Sequence, residues 1–336
     1  MQTTFHHGLL DRQFGVQAQK ASDGHDGPMK PSILVTRTLP SSVMRRLEAA
    51  CEVDCFEGPG GLEHAALITR IGGRQGLVSM VSDTVDRSVV EAGTALRVIA
   101  NAAVGYNNID VVAARERDIV VTNTPDVLTD ATADFTLALI LAVTRRLGEG
   151  ERMLRGGRWG GWAFDQLLGM QLLGRQLGVV GFGRIGKAVA ARASAFGMTV
   201  VHSSRSEDGV ALDRLLATSD VVSLHVPLTP ETHHLIGQAE LARMKRSAYL
   251  INTTRGPVVD EAALAWALRS RLIAGAALDV YEHEPAVHQD LLTLENVVLA
   301  PHLGSATTET RTAMADLAAS NVIAVLGGQP PLTPAP

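Results

Sequence analysis

Three short segments of the sequence carry side chains that could do chemistry, and each follows a predicted buried strand. Residues 252–256 (NTTRG) contribute an arginine, residues 278–285 (LDVYEHEP) a choice of carboxylates, and residues 300–305 (APHLGS) a histidine. Ligands of doubly wound parallel sheets gather at the carboxyl ends of the strands, so we expect the three segments to meet. A cation for a carboxylate, an acid or base that titrates near neutrality and a second acid to tune it are what hydride transfer to an oxo acid requires.

A glycine-rich turn, GFGRIG, lies between a predicted buried strand and a predicted helix. Gly181, Gly183 and Gly186 form the pattern G-x-G-x-x-G. The first glycine permits a tight turn, the second lets backbone approach a pyrophosphate, and the third allows the helix to pack closely on the strand. Backbone N–H groups at the helix N-terminus then face the phosphates. Because a second strand follows the helix, the pattern predicts a dinucleotide-binding fold rather than an ordinary turn.

The end of that second strand indicates which dinucleotide binds. NAD sites usually place Asp or Glu about 20 residues beyond the fingerprint. This chain has HSSRS at residues 202–206, and no carboxylate before Glu207. Ser203, Ser204 and Arg205 could instead hold a 2′-phosphate through charge-assisted hydrogen bonds. NADP(H) is therefore preferred, and NAD(H) stays open; the alternative is a polar, solvated turn that lacks an acid.

The composition predicts a soluble globular protein with room for two domains. The chain has 336 residues, 46% of them hydrophobic and 19% charged, and a net charge of −5 without a stripe of Lys and Arg. This argues against nucleic acid and anionic membrane as partners. The most apolar stretch, residues 135–143, is too short to span a bilayer. Cys51 and Cys55 are predicted thiols rather than a metal or redox site, and the absence of a secretory signal favours the cytoplasm.

The chain alternates strands and helices from Ser32 onward, which implies a parallel sheet joined by right-handed crossovers. Residues 1–28 have no apolar periodicity and are predicted to be a disordered leader. One long helix is expected from near residue 129 toward residue 154. A final helix, from about residue 307 to 326, should pack back on the first domain. The Pro-rich residues 329–336 are predicted to form a loose tail.

Four motifs, GFGRIG, NTTRGPVVDE, ALDVYEHEP and APHLGSAT, occur in that order after a region that contains NAAVGYNNIDV and VVTNTPDVLTDATAD. Over nearly all of residues 30–326 this combination resembles the D-isomer-specific 2-hydroxyacid dehydrogenase family, and most closely its glyoxylate/hydroxypyruvate reductase branch. The resemblance implies two α/β domains with parallel sheets and an active site in the cleft between them. These would be a flavodoxin-like substrate-binding domain (residues 30–128 plus 309–328) and a Rossmann-like NAD(P)-binding domain (residues 129–308).

The activity that the resemblance implies is NADPH-preferring reduction of small 2-oxo acids, glyoxylate and hydroxypyruvate, to D-2-hydroxy acids by a homodimer. A dehydrogenase for another 2-oxo acid, such as 2-ketogluconate, D-lactate or a longer chain, is the alternative within the family. A nucleotide-sensing corepressor is the alternative from another class. It is disfavoured because only 28 leader residues are available to dock a partner, and because such proteins resemble NAD(H) binders.

The resemblance also assigns catalytic roles to three residues. Arg255 would bind and polarise the 2-oxo acid, for which its planar fork suits a carboxylate better than Lys would. His302 would be the general acid in reduction and the base in oxidation, and Glu284 would hydrogen-bond to it. A neighbouring carboxylate stabilises imidazolium, so that a proton is available to the alkoxide. The alternatives are a surface ion-pair arginine, a solvated loop acid and a core histidine.

Further contacts are implied by the same resemblance. The backbone of Val104 and Gly105 would hold the substrate carboxylate, and Ser305 would contact the substrate unless it caps the last helix. Trp162 would reach the active site of the partner subunit, unless it is simply packed. The implied cofactor contacts, with Asp279 toward the nicotinamide carboxamide, are Thr132, Gly181, Gly183, Arg184, Ile185, Gly186, Val226, Pro227, Thr253, Asp279 and His302. No metal site is expected.

Overall fold

The computed structural model describes residues 30–204 and 209–335, in which two parallel β-sheets alternate with helices. The first sheet has the strand order β2-β1-β3-β4-β5, with all neighbours parallel. In chain order its elements are β1 (Ser32–Val35), α1 (Ser41–Ala50), β2 (Glu52–Cys55), α2 (His64–Ile71), β3 (Gly76–Ser79), α3 (Arg87–Ala92), β4 (Val98–Asn101), α4 (Val111–Glu116) and β5 (Val120–Thr122).

Two helices, α5 (Thr129–Thr144) and α6 (Leu147–Arg155), lead from the first sheet into the second. The second sheet has the order β11-β10-β9-β8-β6-β7 and is also parallel. Its elements, followed by the last helix, are β6 (Gln176–Val180), α7 (Arg184–Ala195), β7 (Thr199–Ser203), α8 (Leu212–Thr218), β8 (Val221–Leu224), α9 (Gln238–Arg243), β9 (Tyr249–Asn252), a 3₁₀ turn (Gly256–Val258), α10 (Glu261–Arg269), β10 (Gly275–Leu278), α11 (Gln289–Leu292), β11 (Val297–Leu299) and α12 (Thr308–Leu326).

Each sheet is covered on both faces, as buried parallel strands require. Ile33 and Val35 of β1 belong to a core that includes α1 and α12, whereas Leu34 belongs to a second core that includes α2, α3 and α4. Every residue of β3, β4, β8 and β10 is buried. The predicted α/β class with two parallel sheets is therefore confirmed. Across the described ranges, no helix combines the length and apolar character needed to cross a bilayer.

The predicted long helix is wrong, because the chain turns between α5 and α6. Arg146 has φ of 52°, in the left-handed region, which interrupts a right-handed helix. The carbonyl of Thr144, in the last turn of α5, accepts a hydrogen bond of 2.8 Å from the N–H of Met170, which lies far along the sequence. The side chain of Arg146 then pairs with Glu149 through two hydrogen bonds of 2.8 and 2.7 Å.

The predicted loose tail is also wrong over residues 329–335. Asn321 of α12 is completely buried, and its Oδ1 accepts hydrogen bonds from the N–H groups of Leu332 (2.9 Å) and Thr333 (3.1 Å). Ala335 then donates to the carbonyl of Val121 in β5, at 2.9 Å. A buried amide needs partners, and the tail supplies them. Residues 332–335 are therefore held against α12 and the edge strand β5 of the first sheet.

Three elements, β2, α2 and the short helix α11, are not predicted by the sequence pattern. The strand β2 lies at the sheet edge and pairs only with β1. Its residues, EVDC, are exposed or half-buried, so they lack the apolar run of a central strand.

Candidate active site

A cleft of about 760 Å³ lies at the carboxyl ends of the strands of both sheets. Its walls are the loops that follow β3, β4 and β5 on one side and β6, β8, β9, β10 and β11 on the other. This volume is typical of a site for a small molecule or cofactor. The predicted site residues that line the cleft are Val104, Gly105, Thr132, Gly183, Arg184, Ile185, Val226, Pro227, Thr253, Arg255, Asp279, His302 and Ser305.

The glycine turn between β6 and α7 has the shape that a pyrophosphate needs. Gly181 has φ of 92°, and a Cβ there would overlap the backbone of His225 at the end of β8. A Cβ on Gly186 would collide with the carbonyl oxygen of Gly181. Gly183, by contrast, is exposed, and a Cβ there would have no neighbour within 4 Å. The turn is thus tight on the protein side and open on the cleft side, so it fits a dinucleotide phosphate.

The first residue of α7, Arg184, reaches across the mouth of the cleft. Its Nε lies 2.6 Å from Oδ1 of Asp126, which follows β5 of the first sheet. Both residues line the cleft. The guanidinium therefore lies beside the glycine turn, where it could also meet a phosphate.

The end of β7 is where the adenosine ribose is expected. Ser203 is the last residue of β7, and Oγ of Ser204 lies 3.5 Å from Nδ1 of His202. The imidazole of His202 stacks on the ring of Phe182 in the glycine turn, with centroids 3.9 Å apart and planes 5° from parallel. Arg205 lies outside the residues that the structure describes.

Arg255 follows β9 and reaches across the cleft to the first sheet. Its Nε donates to Oδ1 of Asn107 at 2.9 Å, and one terminal nitrogen donates to the carbonyl of Thr254 at 2.7 Å. Asn107 belongs to the loop after β4, so this hydrogen bond joins the two walls. The amide nitrogen of Asn252 donates to the carbonyl of Arg255 at 3.0 Å. The guanidinium is thus held in one orientation while it remains on the cleft wall.

Gly256, the next residue, allows the loops after β9 and β10 to touch. A Cβ at this position would overlap the backbone of Tyr281 and Glu282. Only glycine permits this approach, and it brings the Arg255 loop against the segment that carries Glu284.

His302 and Glu284 form a hydrogen-bonded pair in the loops after β11 and β10. Nδ1 of His302 lies 2.9 Å from Oε2 of Glu284, and the two side chains are 31% and 37% exposed. The other carboxylate oxygen of Glu284 accepts the N–H of Tyr281 at 3.1 Å. The N–H of His302 donates to the carbonyl of Asp279 at 2.9 Å, and its φ is 55°. Both partners of the pair are therefore held by neighbouring backbone.

The pKa shifts in this cluster follow from burial and charge. Burial raises the pKa of Glu284, but the hydrogen bond to His302 and the positive charges of His302 and Arg255 outweigh it, so the pKa lies below its ordinary value. Burial lowers the pKa of Arg255, and the charge of Glu284 opposes this. Glu284 is therefore a carboxylate at neutral pH. In the described ranges, no three His, Cys, Asp or Glu side chains are grouped as metal ligands.

Asp279 is buried beneath the His302 loop. Its Oδ1 accepts the N–H of Leu303 at 2.6 Å and its Oδ2 accepts the N–H of Gly304 at 2.8 Å. Burial raises its pKa, and those two hydrogen bonds oppose the shift. Asp279 thus fixes the turn after His302, and its contact with nicotinamide stays a prediction. On the same wall, Oγ1 of Thr253 lies 3.1 Å from Oγ1 of Thr136, one turn of α5 beyond Thr132.

The loop after β4 offers backbone donors to the cleft. Asn123 donates to the carbonyl of Val104 at 2.7 Å, and buried Asn101 donates to the carbonyl of Gly105 at 2.9 Å. Within the part of the chain that the structure describes, the N–H groups of Val104 and Gly105 have no hydrogen-bond partner. A Cβ on Gly105 would collide with the guanidinium of Arg255. These N–H groups therefore lie next to the predicted carboxylate binder.

Ser305 and Trp162 differ in their placement. Ser305 lines the cleft, and the helix cap that was its alternative role is supplied by Thr307, which accepts the N–H of Thr310 at 3.1 Å. Trp162 lies between α6 and β6, and it is 81% exposed rather than packed. The structure does not bring Trp162 to the cleft of its own chain.

Comparison with known proteins agrees with this geometry. The profile of the D-isomer specific 2-hydroxyacid dehydrogenase family, NAD binding domain, matches residues 137–304. The chain is 46% identical over 317 residues to a glyoxylate reductase of Thermococcus litoralis, covering 90% of this chain and 96% of the relative. It is 49% identical over 315 residues to a glyoxylate reductase of Korarchaeum cryptofilum, covering 90% and 95%. The chain belongs to the D-isomer specific 2-hydroxyacid dehydrogenase family.

Solved structures of similar proteins share the fold. A Thermus thermophilus protein that is 48% identical gives a TM-score of 0.85 and covers 91% of this chain and 100% of its own. An NADPH-dependent glyoxylate/hydroxypyruvate reductase of Sinorhizobium meliloti, in complex with NADP and malonate, is 36% identical with a TM-score of 0.81, covering 91% and 97%. The predicted resemblance is confirmed, and the protein is an NAD(P)-dependent D-2-hydroxyacid dehydrogenase.

Several polar residues of this dehydrogenase site were not predicted. Asn107 orients Arg255, and Asn101 and Asn123 orient the loop at Val104. The only signal was a cluster of asparagines after a strand, which is also typical of ordinary turns. His225 was missed as well: it follows β8, lines the cleft, and its Nε2 lies 2.8 Å from Oγ of Ser223. Burial lowers the pKa of His225 to about 3.

Proposed function

We propose that this dehydrogenase reduces small 2-oxo acids, glyoxylate and hydroxypyruvate, to D-2-hydroxy acids, with NADPH as the preferred cofactor. The observation that carries the proposal is the hydrogen bond between Glu284 and His302, because His302 lines one cleft with Arg255 and the glycine turn. The relatives from Thermococcus litoralis and Korarchaeum cryptofilum, both glyoxylate reductases, support the substrate. Residues 30–128 with 309–328 would bind the substrate, and residues 129–308 the cofactor.

Arg255 would hold the 2-oxo acid in position. Its planar guanidinium can donate two hydrogen bonds to a carboxylate and can also polarise the adjacent carbonyl. The bond from Nε to Asn107 fixes the plane of the group, so less rotational freedom is lost when substrate binds. The free N–H groups of Val104 and Gly105 would complete the carboxylate site from the opposite wall. A small acid suits this arrangement, because hydrogen-bond donors approach its carboxylate from both walls of the cleft.

His302 would give its proton to the substrate oxygen. Because Nδ1 is bonded to Glu284, Nε2 is the ring nitrogen left for the substrate. The Glu284 carboxylate stabilises the protonated ring before transfer and fixes its plane. When bound, the nicotinamide cofactor supplies the hydride. In the reverse direction, neutral His302 would accept the hydroxyl proton of the 2-hydroxy acid.

NADPH preference is proposed from the end of β7. Ser203 and Ser204 stand where an NAD site usually has a carboxylate, and Arg205 follows them in the sequence. The NADPH-dependent relative of Sinorhizobium meliloti adds support. NAD(H) would bind more weakly, because it lacks the 2′-phosphate to which the hydroxyls and the guanidinium would donate charge-assisted hydrogen bonds.

We also propose that the active unit is a homodimer in the cytoplasm. The segment from α6 to β6 exposes large apolar side chains, including Trp162 (81%), Phe164 (85%) and Leu168 (65%). Exposed apolar surface of this extent usually marks a protein interface, and Trp is common at the centre of such interfaces. Trp162 would then reach the cleft of the partner subunit. The chain has only two cysteines, Cys51 and Cys55, which fits a reducing compartment.

The deciding experiment measures initial rates of NADPH and NADH oxidation with glyoxylate, hydroxypyruvate, pyruvate and 2-ketogluconate. We expect the highest kcat/KM for NADPH with the two small acids. Preference for NADH would contradict the cofactor assignment and leave the catalytic residues unaffected. Preference for 2-ketogluconate or pyruvate would assign the protein a different substrate within the family. No turnover with any acid would favour a binding function.

A further inference from the structure

Two carboxylates behind the active site exchange hydrogen bonds with each other's backbone. The N–H of Glu261 donates to Oε1 of Glu282 at 2.7 Å, and the N–H of Glu282 donates to Oε1 of Glu261 at 2.7 Å. Glu261 is the first residue of α10, and Glu282 lies in the loop after β10. The two elements are therefore joined by a reciprocal pair of charge-assisted hydrogen bonds, which are the stronger kind.

The second oxygen of Glu261 reaches the far end of the same loop. Oε2 accepts the N–H of His288 at 3.3 Å. One carboxylate thus binds the backbone at residue 282 and at residue 288, and Glu284 lies between the two points. Glu282 is held on its other side by His234, whose Nε2 lies 3.3 Å from Oε2. The loop that carries Glu284 is therefore fastened at both ends to the start of α10.

The carboxylate of Glu261 is not the cap of α10. The cap is Asp260, whose Oδ1 accepts the N–H of Ala263 at 2.9 Å. Glu261 is only 5% exposed, and burying a carboxylate is costly unless its oxygens are hydrogen-bonded. Both of its oxygens bond to the 282–288 loop rather than to its own helix. The buried carboxylate of Glu261 therefore holds the 282–288 loop in place.

The same attachment also ties Glu284 to Arg255. The 3₁₀ turn Gly256–Val258 separates Arg255 from α10 by only a few residues, and Gly256 packs against the backbone of Tyr281 and Glu282. We propose that Glu261 is a positioning residue for catalysis: it fixes the 282–288 loop so that Glu284 meets His302 while Arg255 faces the substrate. This inference rests on the role proposed above for Glu284.

The first test compares Glu261→Ala with Glu261→Gln. The alanine removes both acceptors, and misplacing a catalytic group by about 1 Å can cost about 100-fold, so we expect kcat for glyoxylate reduction to fall about 10- to 100-fold. The KM for NADPH should change less than about twofold, because the glycine turn follows β6, whereas Glu261 and Glu282 follow β9 and β10. Glutamine keeps an acceptor for the Glu282 N–H and should stay within about threefold of the wild type.

A control at the neighbouring residue separates positioning from general stability. Asp260→Ala is the matched control: it removes a hydrogen bond at the start of the same helix but does not contact the loop. It should lower the melting temperature and leave kcat for glyoxylate reduction unchanged.

A double-mutant cycle with Glu284→Gln decides the question. If Glu261 acts through Glu284, adding Glu261→Ala to Glu284→Gln should lower kcat by less than about threefold. An equal loss in both backgrounds would overturn the inference and leave the proposed role of Glu284 intact. Glu284→Gln with wild-type kcat would overturn both. If Glu261→Ala fails to bind NADPH, as judged by nicotinamide fluorescence, Glu261→Asp replaces it in the same cycle, because its shorter chain withdraws the acceptor.

Discussion

The Glu284 carboxylate lies 2.9 Å from Nδ1 of His302, although the two residues are separated by 17 others in the sequence. β10 and β11 are adjacent and parallel, so the loops that follow them leave the sheet at the same edge. The N–H of Tyr281 and the carbonyl of Asp279 then hold the two partners in place. Backbone contacts thus set the distance between the acid and the histidine before any substrate binds, which is how preorganised sites lower the cost of proton transfer.

Replacing Glu284 with Gln should remove the charge and keep the shape. We expect kcat for glyoxylate reduction to fall about 100-fold, because positioned acid–base groups typically contribute that much or more. Glu295→Gln is the control, because Glu295 pairs with Arg152 at 2.7 Å, away from the cleft. Unchanged kcat in Glu284→Gln would remove Glu284 from the mechanism.

Replacing Arg255 with Lys tests whether substrate binding needs the planar guanidinium and its several donors, and not only a positive charge. Lysine offers a single ammonium group, which cannot bond Asn107 and a carboxylate in the same plane. We expect KM for glyoxylate to rise at least about tenfold, the loss of roughly one charged hydrogen bond, while KM for NADPH stays unchanged. Asn107→Ala removes only the bond to Nε and should have a smaller effect. A lysine variant with wild-type KM would place the carboxylate elsewhere.

The fold could be predicted from the sequence because its strongest signals are local. The glycines at 181, 183 and 186 and the alternation of apolar strands with helices require no knowledge of distant contacts. One rule also predicts that the loops of Arg255, Glu284 and His302 meet. Each loop follows a parallel strand, and the carboxyl ends of parallel strands lie at the same edge of the sheet.

Contacts that depend on packing between distant segments could not be predicted. Asn107 meets Arg255 only because the two sheets face each other across the cleft. The tail is ordered because Asn321, more than ten residues earlier, is buried and needs partners. The edge strand β2 was missed because it buries little. The role proposed for Trp162 needs a second subunit, and the sequence of one chain does not show how two subunits pack.

The cofactor assignment predicts a selective effect of Arg205→Ala. A guanidinium that binds a 2′-phosphate contributes a charge-assisted hydrogen bond, so its loss should weaken NADPH binding about 10- to 100-fold. NADH has no 2′-phosphate and should bind with nearly unchanged affinity. Dissociation constants from nicotinamide fluorescence test this, with Arg214→Ala on α8 as the control. Equal weakening of both cofactors would show that Arg205 does not recognise the phosphate.

His225 predicts how stability depends on pH. Burial lowers its pKa from 6.5 to about 3, so between these values the unfolded chain binds a proton that the folded chain does not. The free energy of unfolding must then fall as the pH falls through that window, by about 2 kcal/mol from pH 7.5 to pH 5 for this one group. Asparagine carries no such proton, so His225→Asn should show a correspondingly smaller loss over the same interval.

Urea unfolding of wild type and His225→Asn at pH 7.5 and pH 5 measures this difference, and His233→Asn, at an exposed histidine, is the control. The two proteins share every other titrating group, so subtracting their pH dependences isolates His225. An identical dependence would mean that the buried ring accepts a proton in the folded state. A difference of the expected sign would mean that His225 stays neutral beside the glycine turn at physiological pH, and that the positive charge available to the cofactor phosphates comes from arginine and the helix N-terminus.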